Sequence, residues 1–275
     1  MSIKLIGLDL DGTVLTNQKL ITSKTLDAIS SALIQGIIVV PVTGRPFSGL
    51  PEEIIRIPGL RYVITTNGAA TYDLKTNTRL EEHTLSAEVC ADLFSFIGKD
   101  DVIREVFVNG YGYEDTVSYH ALHSRLMGTP LQSYIECSRR PVPSMEQFLK
   151  ECSDGVDGIS LMFSTVDRLK QFARLLENRT DLCVTRPARL DLEINHPLAN
   201  KGSALVSLGK RLGIPASETM AVGDSGNDTS LLRQAGFPVA MGNATEEIKS
   251  LSSFITRDNE HDGVAAAIRS FVLSA

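Results

Sequence analysis

The sequence predicts an α/β fold: a parallel-sheet core interrupted by an inserted α+β module. Three observations predict it. Strand and helix signals alternate from the N-terminus to about residue 70. The same alternation resumes near residue 200. Between them, over residues 83–187, strands and helices no longer alternate simply. Alternation is the mark of βαβ units and a parallel sheet, and its loss marks an antiparallel α+β module.

The elements follow in order. Residues 3–9 are a nearly continuous apolar run, as expected of a strand covered on both faces. Residues 23–35 carry Leu26, Ile29, Leu33 and Ile34 at helical spacing, with Thr22 or Ser23 as cap and Gly36 as stop. Residues 37–42 form a second strand and 62–65 a third, which the βαβ pattern places in the same parallel sheet. In the middle, 102–108 and 158–163 alternate like half-buried strands, and 86–97 and 166–178 read as helices. Past residue 200, Ala204, Leu205, Leu208 and Leu212 share one helical face, closed by Gly213. A strand at 220–223, a helix at 227–235, strands at 238–241 and 254–256 and a helix at 263–272 complete the chain. The expected division is a core of residues 1–82 plus 188–275 and an insertion of residues 83–187.

Composition narrows the function. Of 275 residues, 43% are hydrophobic and 22% charged, which excludes wholesale disorder. The 27 basic and 33 acidic side chains give a formal net charge of −6, which argues against nucleic acid or an acidic membrane as partner. The richest apolar run, 37–42, is strand-sized, well short of the roughly 18 residues of a membrane span, and no signal peptide is expected. Cys90, Cys137, Cys152 and Cys183 form no C-x-x-C pair. They read as free buried thiols of a cytoplasmic protein.

Four short motifs carry chemistry. Asp9-Leu10-Asp11-Gly12-Thr13 ends the first strand. Asp-Gly alone also makes a tight turn. Two carboxylates two residues apart repel unless a cation joins them, and oxygen ligands of this kind suit Mg²⁺ beside a phosphate. One carboxylate can attack phosphorus while a second moves protons. Thr43-Gly44-Arg45-Pro46 ends the second strand, where a turn or a set of phosphoryl donors both fit. Asn200-Lys201-Gly202 opens a helix, an unfavourable place for a cation unless an anion offsets it. Gly223-Asp224-Ser225-Gly226-Asn227-Asp228 follows a strand and fails the EF-hand spacing. Ligands of open α/β sheets bind beyond the carboxyl ends of strands, near a switch in strand order. Three or four acids, one lysine and several N–H donors meeting there fit Mg²⁺ plus a phosphate.

These residues resemble the four motifs of the haloacid dehalogenase-like (HAD) phosphatases, in order and in spacing. Thr66-Asn67-Gly68-Ala69, residues 240–244 and Asp262-Gly263-Val264 match the Cof-like subgroup, whose cap is inserted between the second and third motifs. The resemblance implies a Rossmann-like core with an α+β cap. It implies Asp9 as nucleophile and Asp11 as general acid and base, with the backbone carbonyl of Asp11 on Mg²⁺. Thr43 and the N–H groups of Leu10 and Gly44 would hold the phosphoryl oxygens, with Asn227. Lys201 would neutralise charge between Asp9 and phosphate. Asp224 would bind the metal, with Asp9 beside it and Asp228 in or next to its shell. One departure is Pro197-Leu198-Ala199, where the family more often has a glycine before the lysine motif.

The expected activity is Mg²⁺-dependent hydrolysis of small phosphorylated metabolites, sugar phosphates first, through an aspartyl phosphate. A sugar phosphomutase needs the same four motifs and stays open; a non-catalytic phosphometabolite sensor of the same fold is the other alternative, though it would need neither Asp9 nor Asp11. No H-E-x-x-H, P-loop, G-x-G-x-x-G or G-x-S-x-G motif competes. His120 and His123 are expected on one cap helix, and Asn109-Gly110 in a turn between strands. The sequence names neither the substrate nor the oligomeric state.

Overall fold

The computed structural model describes residues 2–97, 102–152 and 155–273. Met1, Ser274 and Ala275, assigned above to the core, lie outside the described residues. The core is a five-stranded sheet in the order Phe254–Ile255, Phe237–Ala240, Thr219–Gly223, Leu5–Leu8, Ile38–Pro41, parallel throughout. Every residue of Leu5–Leu8 and of Thr219–Gly223 is buried, as a run of apolar side chains covered on both faces requires. Helices Ser23–Ile34 and Gly263–Ile268 pack on one another, as do Lys201–Arg211 and Thr229–Gln234. Thr22 is the cap of the first of these, its hydroxyl accepting from the Thr25 N–H.

Leu5–Leu8 is central. The chain leaves it to pair on one side with Ile38–Pro41 and returns much later to pair on the other with Thr219–Gly223. That reversal is the switch point at which α/β sheets hold ligands.

The third strand departs from expectation. Tyr62–Thr65 touches the parallel sheet through one bridge, Val42 to Ile64, and otherwise pairs antiparallel with Ala70–Asp73, itself paired with Thr78–Glu82. The tight left-handed turn at Thr66 and Asn67 reverses the chain at once, so no crossover helix intervenes.

A six-stranded sheet forms the inserted module, in the order Cys183–Thr185, Asp191–Asn195, Gly158–Phe163, Val102–Val108, Tyr111–Asp115, Arg139–Val142. It has its own apolar core, from Leu85 through Leu161 to Ile194. Asp191–Asn195 belongs to this sheet, so the module continues past the expected boundary at 187/188. The alternation of Leu192 and Ile194 with Asp191, Glu193 and Asn195 fits a half-buried strand rather than a core strand. Thr116–Leu126 is the cap helix expected to carry His120 and His123, whereas Gln132–Ser138 and Met145–Glu151, of seven residues each, are too short to show a helical period in the sequence. None of the four cysteines is in a disulfide, and only Cys90 is buried; Cys137 is exposed and the others are half-buried, which corrects the expectation of four buried thiols. Among the described residues no helix is long and apolar enough to cross a membrane.

Gly202 sets how closely Lys201–Arg211 and Thr229–Gln234 approach. A Cβ there would lie 2.1 Å from the Ser230 carbonyl oxygen. Gly202→Ala should therefore force Lys201–Arg211 away from Thr229–Gln234 and lower stability by about 1–3 kcal/mol. A urea midpoint equal to that of the wild type would contradict the close packing.

Candidate active site

Asp9 follows the central strand directly and is buried, its backbone N–H bonded to the Val222 carbonyl oxygen at 3.1 Å. Gly12 then turns the loop with φ +87°, and a Cβ there would lie 2.5 Å from Asp224 Oδ2. Only glycine fits both constraints. The loop thus lies against the Asp224 carboxylate, to which the Thr13 hydroxyl donates at 3.2 Å. Asn243 Nδ2 donates to the Gly12 carbonyl at 2.9 Å and secures the same turn.

Lys201 ties the halves of the site. Asn200 caps its helix by accepting from the Ser203 N–H at 2.8 Å. The Lys201 ammonium is 0% exposed and donates to Asp9 Oδ1 and to Asp228 Oδ1, each at 2.7 Å. These carboxylates are the anions that a lysine at a helix N-terminus requires. Burial alone would depress Lys201; the two carboxylates overcome it and hold the ammonium above its ordinary range. Asp228 Oδ2 accepts from the backbone N–H groups of Asp224 and Ser225 at 2.9 and 3.1 Å. Asp228 therefore braces its own loop while it holds Lys201.

Asp9, Asp224 and Asp228 each offer an oxygen within 4.8 Å of the others. Asp9 Oδ2 is buried with no hydrogen-bond partner. Burial and the charge of Asp228 push the Asp9 carboxyl well above its usual range, against the pull of Lys201. The same two causes raise Asp224 to about 6. One ammonium cannot balance three carboxylates, and an orphaned buried oxygen among them is the signature of an oxygen-liganded cation site. The donor set fits Mg²⁺.

Asp11 points elsewhere. Arg45 Nε and Nη2 grip its two oxygens at 2.6 and 2.7 Å, and Lys19 Nζ reaches Oδ1 at 2.8 Å. Burial would raise Asp11, but Arg45 and then Lys19 hold its carboxyl well below the usual range. Its side chain stands outside the three-acid cluster; the metal contact expected of Asp11 is through its backbone carbonyl. Thr43 Oγ1 accepts from the Arg45 N–H at 3.1 Å, which keeps the hydroxyl at the loop. Asn227 donates to Asn67 Oδ1 at 3.1 Å, and Asn67 donates to Glu193 Oε2 at 2.6 Å. A cavity of about 310 Å³ collects Asp9, Asp11, Thr43, Gly44, Asp224 and Asn227 with Arg139, Tyr134 and Glu193 of the cap. Leu10 is buried beside Asp9 in the same loop, and Lys201 and Asp228 lie beneath it.

Sequence reading missed Lys19, Tyr134, Arg139 and Glu193, and left Arg45 and Asn67 without roles. Arg45 and Asn67 stood inside quoted motifs; the others sit in the cap or a loop, with no local pattern to mark them. His120 and His123 do share the Thr116–Leu126 helix, against Tyr119 and outside the cavity lining. Asn109-Gly110 is a left-handed turn between strands whose Gly110 carbonyl accepts from the Ser48 N–H of the core at 2.9 Å.

Comparison with known proteins places this geometry. The profile of the haloacid dehalogenase-like hydrolases matches residues 6–268. The chain belongs to that family. It is 30% identical over 279 residues to the putative phosphatase YxeH of Bacillus subtilis, covering 98% of this chain and 99% of that one. It is 29% identical over 283 residues to the B. subtilis 5-amino-6-(5-phospho-D-ribitylamino)uracil phosphatase YwtE, covering 95% and 96%. A solved haloacid dehalogenase-like hydrolase from B. subtilis superposes with TM-score 0.85 at 29% identity, over 98% of this chain and 100% of that one. The protein is an enzyme, a phosphatase of this family.

Two predictions follow from the buried charges. Lys201→Met strands Asp9 and Asp228 without their cation and should cost about 3–5 kcal/mol at neutral pH, less in acid, where the carboxylates take up protons. Urea melts at the two pH values check it. In the cap, both oxygens of Glu114 are buried without a hydrogen-bond partner, and the nearest cation, Arg139 Nε, is 3.5 Å away. Burial, then Glu105, raises the Glu114 carboxyl from 4.5 to about 9. The folded chain thus keeps a proton that the unfolded chain loses. That contribution is intact below pH 4.5 and is lost as pH rises through about 9. Glu114→Gln, neutral at every pH, should flatten this decline by about 1 kcal/mol per pH unit, read from urea midpoints across the window. A variant with an unaltered slope would show that Glu114 is ionised in the fold.

Proposed function

We propose that this phosphatase hydrolyses small phosphorylated metabolites, sugar phosphates first among them, with Mg²⁺ and through an aspartyl phosphate on Asp9. The observation that carries the reading is the state of Asp9. Its Oδ1 is fixed by Lys201 and its Oδ2 is left free of hydrogen bonds, at the edge of a cavity with Thr43, Gly44 and Asn227. Asp9, Asp224 and Asp228, with the Asp11 backbone carbonyl, would hold the metal, which supplies positive charge so that carboxylate and phosphate can approach.

The chain's own groups then divide the work. Thr43, with the N–H groups of Leu10 and Gly44 and with Asn227, orients the phosphoryl oxygens. Asp9 attacks phosphorus, the ester oxygen leaves as an alcohol with a proton from Asp11, and an acyl phosphate forms on Asp9. Asp11 then takes a proton from water, the water oxygen attacks phosphorus, and phosphate leaves with Asp9 restored. Arg45 and Lys19 hold Asp11 as an anion in the free protein. A phosphate entering between them competes for both cations and lets Asp11 take up a proton from solvent before the ester bond breaks; the proton later gained from water returns to solvent as phosphate leaves and the two cations close on Asp11 again. The cavity of about 310 Å³, roofed by the cap, fits small substrates and excludes folded phosphoproteins. The phosphorylated ribityl chain in the name of the relative YwtE supports a polyol phosphate as substrate, with the polyol as leaving alcohol.

The test is phosphate release from sugar phosphates and phenyl phosphate, with Mg²⁺ or with chelator, beside Asp9→Asn. Release should require Mg²⁺ and fall at least about 10³-fold in the variant, which keeps the shape of Asp9 and loses its charge. Release that survives in Asp9→Asn would overturn the assignment of the nucleophile. An isomeric sugar phosphate without free phosphate would establish transfer in place of hydrolysis.

A further inference from the structure

We infer that Glu193 recognises the alcohol part of the substrate by accepting hydrogen bonds from its hydroxyl groups, so that the site favours phosphorylated polyols over esters of apolar alcohols. The inference rests on the phosphatase reading above.

Glu193 lies on the cap strand Asp191–Asn195. Leu192 and Ile194 of that strand enter the cap core, so the pleat turns Asp191 and Glu193 to the opposite face, toward the catalytic loops. Register places Glu193 opposite Ser160, and Ser160 opposite Glu105. Asp191, Glu193 and Ser160 all line the cavity. The roof above the reacting groups is therefore a row of hydrogen-bond acceptors and a hydroxyl, flanked by the rings of Phe107 and Tyr134. Acceptors beside aromatic faces suit the O–H groups and C–H faces of a polyol.

Glu193 also stands at the phosphate end of the cavity. A Cβ built on Gly44 would lie 3.3 Å from Glu193 Oε1 and 3.5 Å from Asn227 Nδ2. Gly44 and Asn227 belong to the phosphoryl loops, so Glu193 reaches the atoms next to the ester bond. A carboxylate there repels a phosphate dianion and does not serve to bind it. Its partner is a donor on the alcohol side. Lys19, Arg45 and Arg139 line the same cavity and oppose a cationic leaving group, so a neutral hydroxyl is the donor that fits.

The carboxylate is held for this task. Asn67 Nδ2 takes Oε2 at 2.6 Å, and Asn67 is itself fixed by a left-handed backbone at φ 56° and by the amide of Asn227. Among the described residues no hydrogen-bond donor reaches Oε1. In Glu193→Gln the amide oxygen must face Asn67, because two NH₂ groups cannot pair. The variant then offers a donor where the wild type offers an acceptor.

The experiment compares kcat/KM for a panel of pentose and hexose phosphates with kcat/KM for phenyl phosphate, which has no hydroxyl to recognise. In Glu193→Gln the ratio should fall about 10- to 100-fold, chiefly through KM for the sugar esters. Glu193→Asp, which keeps an acceptor, should recover part of it. Thermal melts establish that both variants fold. If Glu193→Gln does not fold, a lowered ratio in Glu193→Asp carries the proposal, and an unchanged one overturns it. Equal loss on both kinds of ester, or no loss, overturns it as well. A wild type that cleaves phenyl phosphate and no sugar ester overturns this proposal alone. A wild type that releases phosphate from neither overturns the phosphatase reading together with it.

Discussion

A lysine ammonium shut off from water lies between two carboxylates, Asp9 and Asp228, at 2.7 Å from each. These residues come from three loops, and Lys201 is 192 positions from Asp9 in the chain. No one of them could be buried in this place without the others, since a lone charge in the interior costs several kcal/mol. The interaction therefore requires that the first strand, the Thr219–Gly223 strand and the Lys201–Arg211 helix assemble together. It also fixes one oxygen of Asp9 and leaves the other without a hydrogen-bond partner, so the two oxygens of one carboxylate are made unequal by the same charges that close the core.

Around that pair the two sheets are joined by polar contacts. Asn195 of the cap donates to the Thr66 carbonyl of the core at 3.2 Å, and Asn67 of the core reaches Glu193 of the cap. Arg79 of the core binds Asp157 of the cap through two parallel bonds of 3.0 and 2.8 Å. Apolar side chains, by contrast, fall into two clusters, one beneath the five- and three-stranded sheets of the core and one in the cap. Each unit thus keeps its own hydrophobic core, and the seam between them is directional. Directional contacts set the cap at one orientation over the catalytic loops and can be remade after it moves, which suits a lid that admits substrate.

What was legible in the sequence was what local chemistry determines. Asp9, Thr43 and Asp224 sit just past buried strands, and a continuous apolar run ending in polar residues with glycine has few other meanings. Lys201 was legible through its unfavourable place at a helix start. The parallel pairing of the core strands followed from the alternation that surrounds them, while their order came only with the assembled sheet. Tyr62–Thr65 was misplaced because a buried strand looks the same in a parallel and an antiparallel setting; the turn at Thr66 and Asn67 decides between them. In the cap, Glu193 and Arg139 carry no local signal. Their meaning comes from cross-strand neighbours distant in sequence, such as Ser160 beside Glu193. Residues that recognise by convergence are invisible until the sheet is assembled.

The Tyr134 ring connects the cap to Asp11 through Arg45. It lies 4.4 Å from the Arg45 guanidinium on the core side and 4.6 Å from that of Arg139 in the cap. A Cβ on Gly49 would meet the ring at 2.3 Å, so the ring is seated directly on the core backbone. Arg45 is the same residue that grips both oxygens of Asp11. A guanidinium stacked on an aromatic face and desolvated by it loses mobility, and its fork stays aimed at the carboxylate. The cap therefore bears on Asp11 without touching it: Arg139 and Arg45 lie against the same Tyr134 ring, and Arg45 passes that constraint to both Asp11 oxygens. A helix of the inserted module thus helps to fix a side chain of the loop that follows the first strand, which, among the described residues, no apolar contact between the two cores does.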